Sequence, residues 1–229
     1  MKKLFVLAGA VVLSSSLYAQ KPTSSDAKYS LEGNINYNGT DGFSWTAPNL
    51  RARYFVNDNI AARVQLGLSS TSDKTFAYEN ADGTGSKGTI LDKTSGWIME
   101  LGAEYHLAGT EKMSPYFMGG LLFGGSTATL KGTDVDLFDN YKSGDKYSDI
   151  TKSSNIGFSL GAGMDYYVAD NLYLGLELGW GWANLMDKGT KSSTTTSGTT
   201  IETETPPAGS ASGMGTGAMN TAFRIGWRF

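Results

Sequence analysis

The chain has 229 residues, 19 of them basic and 22 acidic, with 30 glycines and no cysteine. That length suits one domain, and a formal net charge of -3 gives no electrostatic case for nucleic-acid binding. Without cysteine, disulfides, thiol catalysis, cysteine-ligated zinc and a lipid-modified N-terminal cysteine are excluded.

Lys2 and Lys3 precede an apolar run from Leu4 to Leu13, then Ser14 to Ser16, and small Ala19 before Gln20. A basic start, a short apolar stretch and a small residue are the pattern of a secretion signal. The run is too short to span about 30 Å of hydrocarbon as a helix. Cleavage after Ala19 is expected, leaving residues 20–28 as a short lead-in and a mature net charge of -5. No later segment offers 18 consecutive apolar residues, so a membrane could be entered only by strands.

Residues 29–37 alternate Tyr29, Leu31, Ile35 and Tyr37 with Ser30, Glu32, Asn34 and Asn36. Successive strand residues point to opposite faces, so one face is apolar and the other polar. Asn38 to Gly42 reads as a tight turn. A second strand is expected from Phe43 to Phe55, with a change of parity at Pro48 marking a bulge. The third carries Ile60, Ala62, Val64, Leu66 and Leu68 on one face, and the fourth Trp97, Met99, Leu101, Ala103, Tyr105 and Leu107. The fifth, near 115–130, has Met118, Leu121, Leu122 and Phe123 on both parities, and its faces stay unassigned. The sixth alternates from Ile156 to Tyr166, the seventh from Leu172 to Trp182, and the eighth from Thr221 to Phe229.

Eight strands is an even number. Polar segments at 71–95, 131–154 and 187–214 read as long loops after strands three, five and seven, while short turns follow strands two, four and six. Such asymmetry, with aromatics at strand ends (Trp45, Trp97, Tyr105, Tyr166, Trp180, Trp182, Trp227), fits an eight-stranded antiparallel up-and-down transmembrane β-barrel over residues 29–229. A soluble lipocalin-type barrel also alternates, with its apolar face inside, and alternation alone does not choose between them.

The end of the chain carries a resemblance. Phe223, Ile225, Trp227 and terminal Phe229 look like the C-terminal signal read by the barrel-assembly machinery of bacterial outer membranes. The mature chain resembles the small outer-membrane β-barrel family of the OmpA and OmpX type, without a peptidoglycan-binding domain. The resemblance implies an outer-membrane location in a Gram-negative cell, periplasmic termini and variable surface loops. It implies no single activity.

Chemistry finds little support in the sequence. His106 is the only histidine, and no serine is expected beside it, as a lipid-modifying esterase would require. Asp134, Asp136, Asp139, Asp145 and Asp149 lack the spacing of a calcium loop. No cofactor, metal or nucleic acid is expected, and a monomer is. With the apolar parity toward lipid, the interior receives Glu32, Glu100, Glu104, Asp165 and Glu177, and Arg51, Arg53, Arg63, Arg224 and Arg228. An eight-stranded barrel is just wide enough to be filled by side chains, and buried charges persist only when paired. A salt-bridged lumen is therefore expected, with Arg63–Glu104 and Glu177–Arg224 as neighbouring pairs. The expected role is structural or surface-interactive through the loops. A narrow channel for small solutes and, further off, a lipid-modifying enzyme are the alternatives.

Overall fold

The structure, a computed structural model, describes residues 21–38, 42–44, 49–214 and 220–229. The expected signal peptide, Trp45 and the bulge at Pro48 lie outside these residues. Eleven strands are present among the described residues: β1 (Tyr29–Asn38), β2 (Gly42–Ser44), β3 (Asn49–Phe55), β4 (Ile60–Tyr78), β5 (Lys87–His106), β6 (Met113–Val135), β7 (Tyr141–Ala169), β8 (Leu172–Thr196), β9 (Thr199–Thr205), β10 (Ser210–Met214) and β11 (Asn220–Arg228). Every pairing is antiparallel. The order β11-β1-β3-β4-β5-β6-β7-β8 closes on itself through β8–β11, an eight-stranded ring. β2 adds to β1, and β9 and β10 add to β8.

Closure follows from the residues at each end. Tyr29 and Phe229 exchange backbone hydrogen bonds of 2.8 and 2.7 Å, joining the first strand to the last. Short turns gather at this end. Asn57 Oδ1 accepts from the amides of Asn59 and Ile60, fixing the β3–β4 turn. Asn171, at φ 65°, turns β7 into β8, a conformation that Asn tolerates better than most residues.

Parity separates inside from outside. In the lower part of the ring Leu31, Leu50, Val64, Leu101, Leu121, Leu160, Leu176 and Ile225 are exposed, while the charged residues of the alternate parity are buried. An exposed apolar surface around a charged interior is the reverse of a soluble barrel. On β8 the outward face is apolar from Leu172 to Trp182. Ten residue steps at about 3.3 Å, tilted by about 40°, span roughly 25 Å of membrane normal. β6, unassigned from sequence, turns Phe117 and Leu121 outward and Tyr116 and Met118 inward.

The three segments expected as loops are corrected. Strand pairing runs on above the apolar zone to Tyr78↔Lys87, Val135↔Tyr141 and Thr196↔Thr199, so only short turns remain at their tips. The Thr- and Ser-rich sequence there is polar on both faces, which hides the period of two, yet such residues still pair well as strands. On β4–β9 the sheet rises about 25 Å above the apolar zone by the same geometry. Among the described residues, β3 pairs β4 as far as Gly67, below this extension.

Candidate functional site

The lower lumen holds a continuous ionic network. Arg51 on β3 crosses the interior to β8 and holds Glu177 through two bonds of 2.8 Å. Its Nε donates to Gln65 Oε1 at 2.9 Å. Arg53 reaches Glu104 and Asp165 at 2.8 Å each, and also pairs with Glu32. Arg63 touches Glu100, Glu104 (3.2 Å) and Glu177 (3.0 Å). Arg224 pairs with Glu32 at 2.6 Å and Asp165 at 2.9 Å. Four arginines thus serve five carboxylates, and every member is buried.

Arg228, the fifth expected arginine, is not in this network. It is buried, its Nε donates to the Ala27 carbonyl at 2.8 Å, and its guanidinium lies 3.6 Å from the Phe55 ring centroid. Here the N-terminal segment 21–28 folds across the base of the ring, with Ser24 N donating to Asp58 and Lys21 N to the Glu111 carbonyl. Asp58 in turn is held below the usual carboxylate range, chiefly by the Ser24 amide.

The expected Arg63–Glu104 pair is present. The Glu177–Arg224 pair is not. Glu177 is occupied by Arg51 and Arg63, and Arg224 by Glu32 and Asp165. The two are linked instead through Tyr116, whose hydroxyl donates to Glu177 at 2.6 Å and accepts from Arg224. Across a closed barrel, charges find partners over the lumen as well as on adjacent strands. Sequence reasoning missed Tyr116, because the faces of its strand were unassigned. It also missed Ser159, which donates to Glu100 at 2.9 Å.

Glycines make room for these groups. A Cβ on Gly163 or Gly226 would stand 2.3 or 2.2 Å from the rings of Tyr116 or Tyr173, and one on Gly175 would stand 2.6 Å from the Arg224 guanidinium. Such approaches leave no room for a methyl group, so the filled interior accounts for these glycines.

His106 also requires a correction. Ser114, across the β5–β6 turn, lies 2.8 Å from His106 Nδ1, and Glu104 lies 3.2 Å from Nε2. The serine, histidine and acid that a lipid esterase needs are therefore together. All three are only 1 % exposed, with His106 between the rings of Phe55 and Tyr116 at 5.4 and 5.1 Å. The serine is buried, and Glu104 is also held by Arg53 and Arg63.

Above the network the lumen opens into a cup of about 390 Å³, lined by Gly67, Ser69, Gly96, Ile98, Ser126 and Asn155 among others. Farther up, the β6–β7 tip is a fixed turn. Asp136 Oδ1 accepts from the amides of Phe138 (2.8 Å) and Asn140 (3.0 Å), and these bonds hold its carboxyl below the usual range. Asp139 sits at φ 63° and accepts from the Tyr147 hydroxyl at 2.6 Å. The turn presents Leu137 and Phe138, 66 % and 85 % exposed.

The four residues of the terminal pattern lie on or beside β11. Phe223, Ile225, Trp227 and Phe229 are all exposed on the lipid face. Phe229 stacks on Tyr29, centroids 6.1 Å apart.

A family profile described as outer membrane protein beta-barrel domain matches residues 5–187. The chain belongs to this family. That membership places it in the outer membrane and agrees with the ring of eight strands and its apolar exterior. Among solved structures, it is similar to a major outer membrane protein from Thermus thermophilus, at 15 % identity and a TM-score of 0.47, covering 89 % of this chain and 99 % of the other. It is also similar to the outer membrane protease OmpT from Escherichia coli, at 7 % identity and a TM-score of 0.39, covering 89 % and 94 %. No curated protein matches the sequence.

Proposed function

We propose that this outer-membrane barrel is a surface-interaction protein that works through the strand extensions and turns at its long-hairpin end. In bacterial outer-membrane barrels the short turns are periplasmic and the long connections extracellular, which puts these extensions outside the cell. The observation that carries the reading is the β6–β7 tip. Two large apolar side chains stand in solvent on a turn that Asp136 holds in one conformation. A pre-ordered apolar anchor binds with little loss of side-chain freedom, as interface hot spots do. The contrast with the lumen supports the same assignment, since the ionic network fills the path a solute would follow.

The proposal includes export with a signal peptide removed after Ala19. It also includes assembly read from Phe223, Ile225, Trp227 and Phe229, and a monomeric barrel with no cofactor. The test pairs two measurements. Cells displaying the protein are assayed for binding to a panel of surface proteins, glycans and other cells, with Leu137→Ser/Phe138→Ser as the comparison. Planar bilayers are assayed for conductance. Binding that the double variant loses, with negligible conductance, is the expected result. Steady conductance by the wild type, with indifferent binding, would overturn it in favour of the narrow channel. Hydrolysis of phospholipid or lipid A that Ser114→Ala abolishes would instead establish an enzyme.

A further inference from the structure

We propose that the outer face of the extension, just above the apolar zone, is a seat for the phosphorylated glycolipid of the outer leaflet. The register of β4 with β5 and of β5 with β6 runs unbroken from the membrane zone through residues 87–97, and that of β6 with β7 through Thr133↔Lys146. The outward parity can therefore be followed upward residue by residue. Below Trp97 that parity carries no charge on these strands. Above it come Lys74, Lys87, Lys93, Lys131, Lys146 and Lys152, all exposed, together with Ser, Thr and a few apolar residues. Below the hairpin turns, β4–β7 carry no acidic residue on this face.

The acids lie on the other parity. Asp73, Asp92 and Asp149 face the concave side. Both faces of the extension meet water, so solvation gives no reason to sort the charges. Sheet stability argues against sorting: opposite charges across strands stabilise and like charges directly opposite destabilise, yet Asp73 and Asp92 are direct partners. None of the six lysines forms a salt bridge with a described residue. The related outward lysine on β8, Lys191, pairs with Glu204 of β9, at the far edge.

The occupant follows from position and charge. Lys152 lies two residues above the level of Trp97, Lys93 four, Lys74 and Lys131 six, Lys146 eight and Lys87 ten. With the strand rise and tilt used above, the lysines stand roughly 5–25 Å above the apolar zone. This is where the headgroup layer of the surrounding leaflet lies, and the surface is continuous with the lipid-facing wall. Phe76, with Lys87 and Lys74 at 4.6 and 5.5 Å from its ring centroid, adds an exposed aromatic face against which a sugar can pack.

The test uses the refolded full-length mature chain in zwitterionic micelles, titrated with purified lipopolysaccharide. The comparisons are the same glycolipid after dephosphorylation, inorganic phosphate as competitor, and the variant Lys93→Gln/Lys131→Gln/Lys152→Gln. These positions are exposed, and heat-dependent gel migration checks that each variant is folded. Should that variant not fold, Lys74→Gln/Lys87→Gln near the hairpin end replaces it. The expected result is binding at least about tenfold weaker in the glutamine variant, retained in the matching arginine variant, and weakened by salt. Equal binding by the glutamine variant overturns the proposal, as does undiminished binding of dephosphorylated glycolipid. Full competition by inorganic phosphate would mean a free-anion site rather than a lipid seat. Preference for an acidic protein over the glycolipid would mean a protein interface.

Discussion

The lower lumen and the extension above the membrane are parts of one sheet with one register, and they use charge in opposite ways. In the lumen, four arginines and five carboxylates are buried and each touches an opposite charge. On β4–β7 of the extension, six exposed lysines and three aspartates are sorted onto opposite faces. The difference shows what fixes a charge in place. A confined, water-poor interior makes an unpaired charge expensive, so pairing there is obligatory. A wetted sheet imposes no such demand, and its charges are free to be arranged for what lies outside it.

Single substitutions in the lumen should have the largest effects. Glu104 touches Arg53, Arg63 and His106. Glu104→Ala should cost about 3–5 kcal/mol, because two guanidinium groups lose a partner they cannot replace with water. Urea unfolding in lipid vesicles measures it. A cost under about 1 kcal/mol would mean that water reaches the network and that the contrast between the two regions is overstated.

The lipid face comes next. Leu101 is 45 % exposed near the middle of the apolar zone. Leu101→Arg should cost about 2–4 kcal/mol in vesicles. The same change at Thr129, on the outward parity of the extension, should be close to neutral. Equal penalties at the two sites would move the upper boundary of the membrane above Trp97.

Tyr116→Phe tests the link that replaces the expected Glu177–Arg224 pair. It removes one hydroxyl that donates to Glu177 and accepts from Arg224, and should cost about 1–3 kcal/mol. In this background the effects of Glu177→Ala and Arg224→Ala should become more nearly additive than in the wild type. Unchanged coupling would mean that the two communicate through Glu32, Asp165 and the remaining arginines.

Much of the barrel was legible in the sequence because alternation is a strong signal wherever one face meets lipid and the other a charged interior. Val64 and Arg63, or Leu176 and Glu177, announce their faces by contrast alone. The signal fails where both faces are alike. Thr71, Ser72 and Asp73 are strand residues that read as loop, since both sides are wet. On β6 it fails differently: Met118 and Leu122 pack the interior with apolar groups, which erases the contrast with Phe117 and Leu121. Contacts across the lumen, such as Arg51 with Glu177, depend on barrel closure and leave no trace in strand order. Ser114 escaped notice beside His106 because the turn, rather than sequence adjacency, brings them together.

The smallest expected effect gives the sharpest form of the comparison. Lys191 and Glu204 face each other across β8 and β9 on the extension, 3.5 Å apart, with side chains 71 % and 69 % exposed. Arg51 and Glu177 are 2.8 Å apart and 2 % and 7 % exposed. Separation differs by a fifth, so in a uniform medium the two attractions would be nearly equal. The surroundings differ far more, since the same pair of charges interacts several times more strongly in a protein interior than in water. A double-mutant cycle on Lys191→Ala and Glu204→Ala should therefore give a coupling between 0 and about 1 kcal/mol that added salt abolishes. The same cycle on Arg51→Ala and Glu177→Ala should give a coupling several times larger that salt barely changes. Much of that larger coupling is the penalty each single variant incurs by leaving a charge buried alone, and no such penalty exists on the extension. Equal couplings in the two cycles, or equal sensitivity to salt, would mean that the lumen is as wet as the outer wall, and the case against a solute path would fall with it.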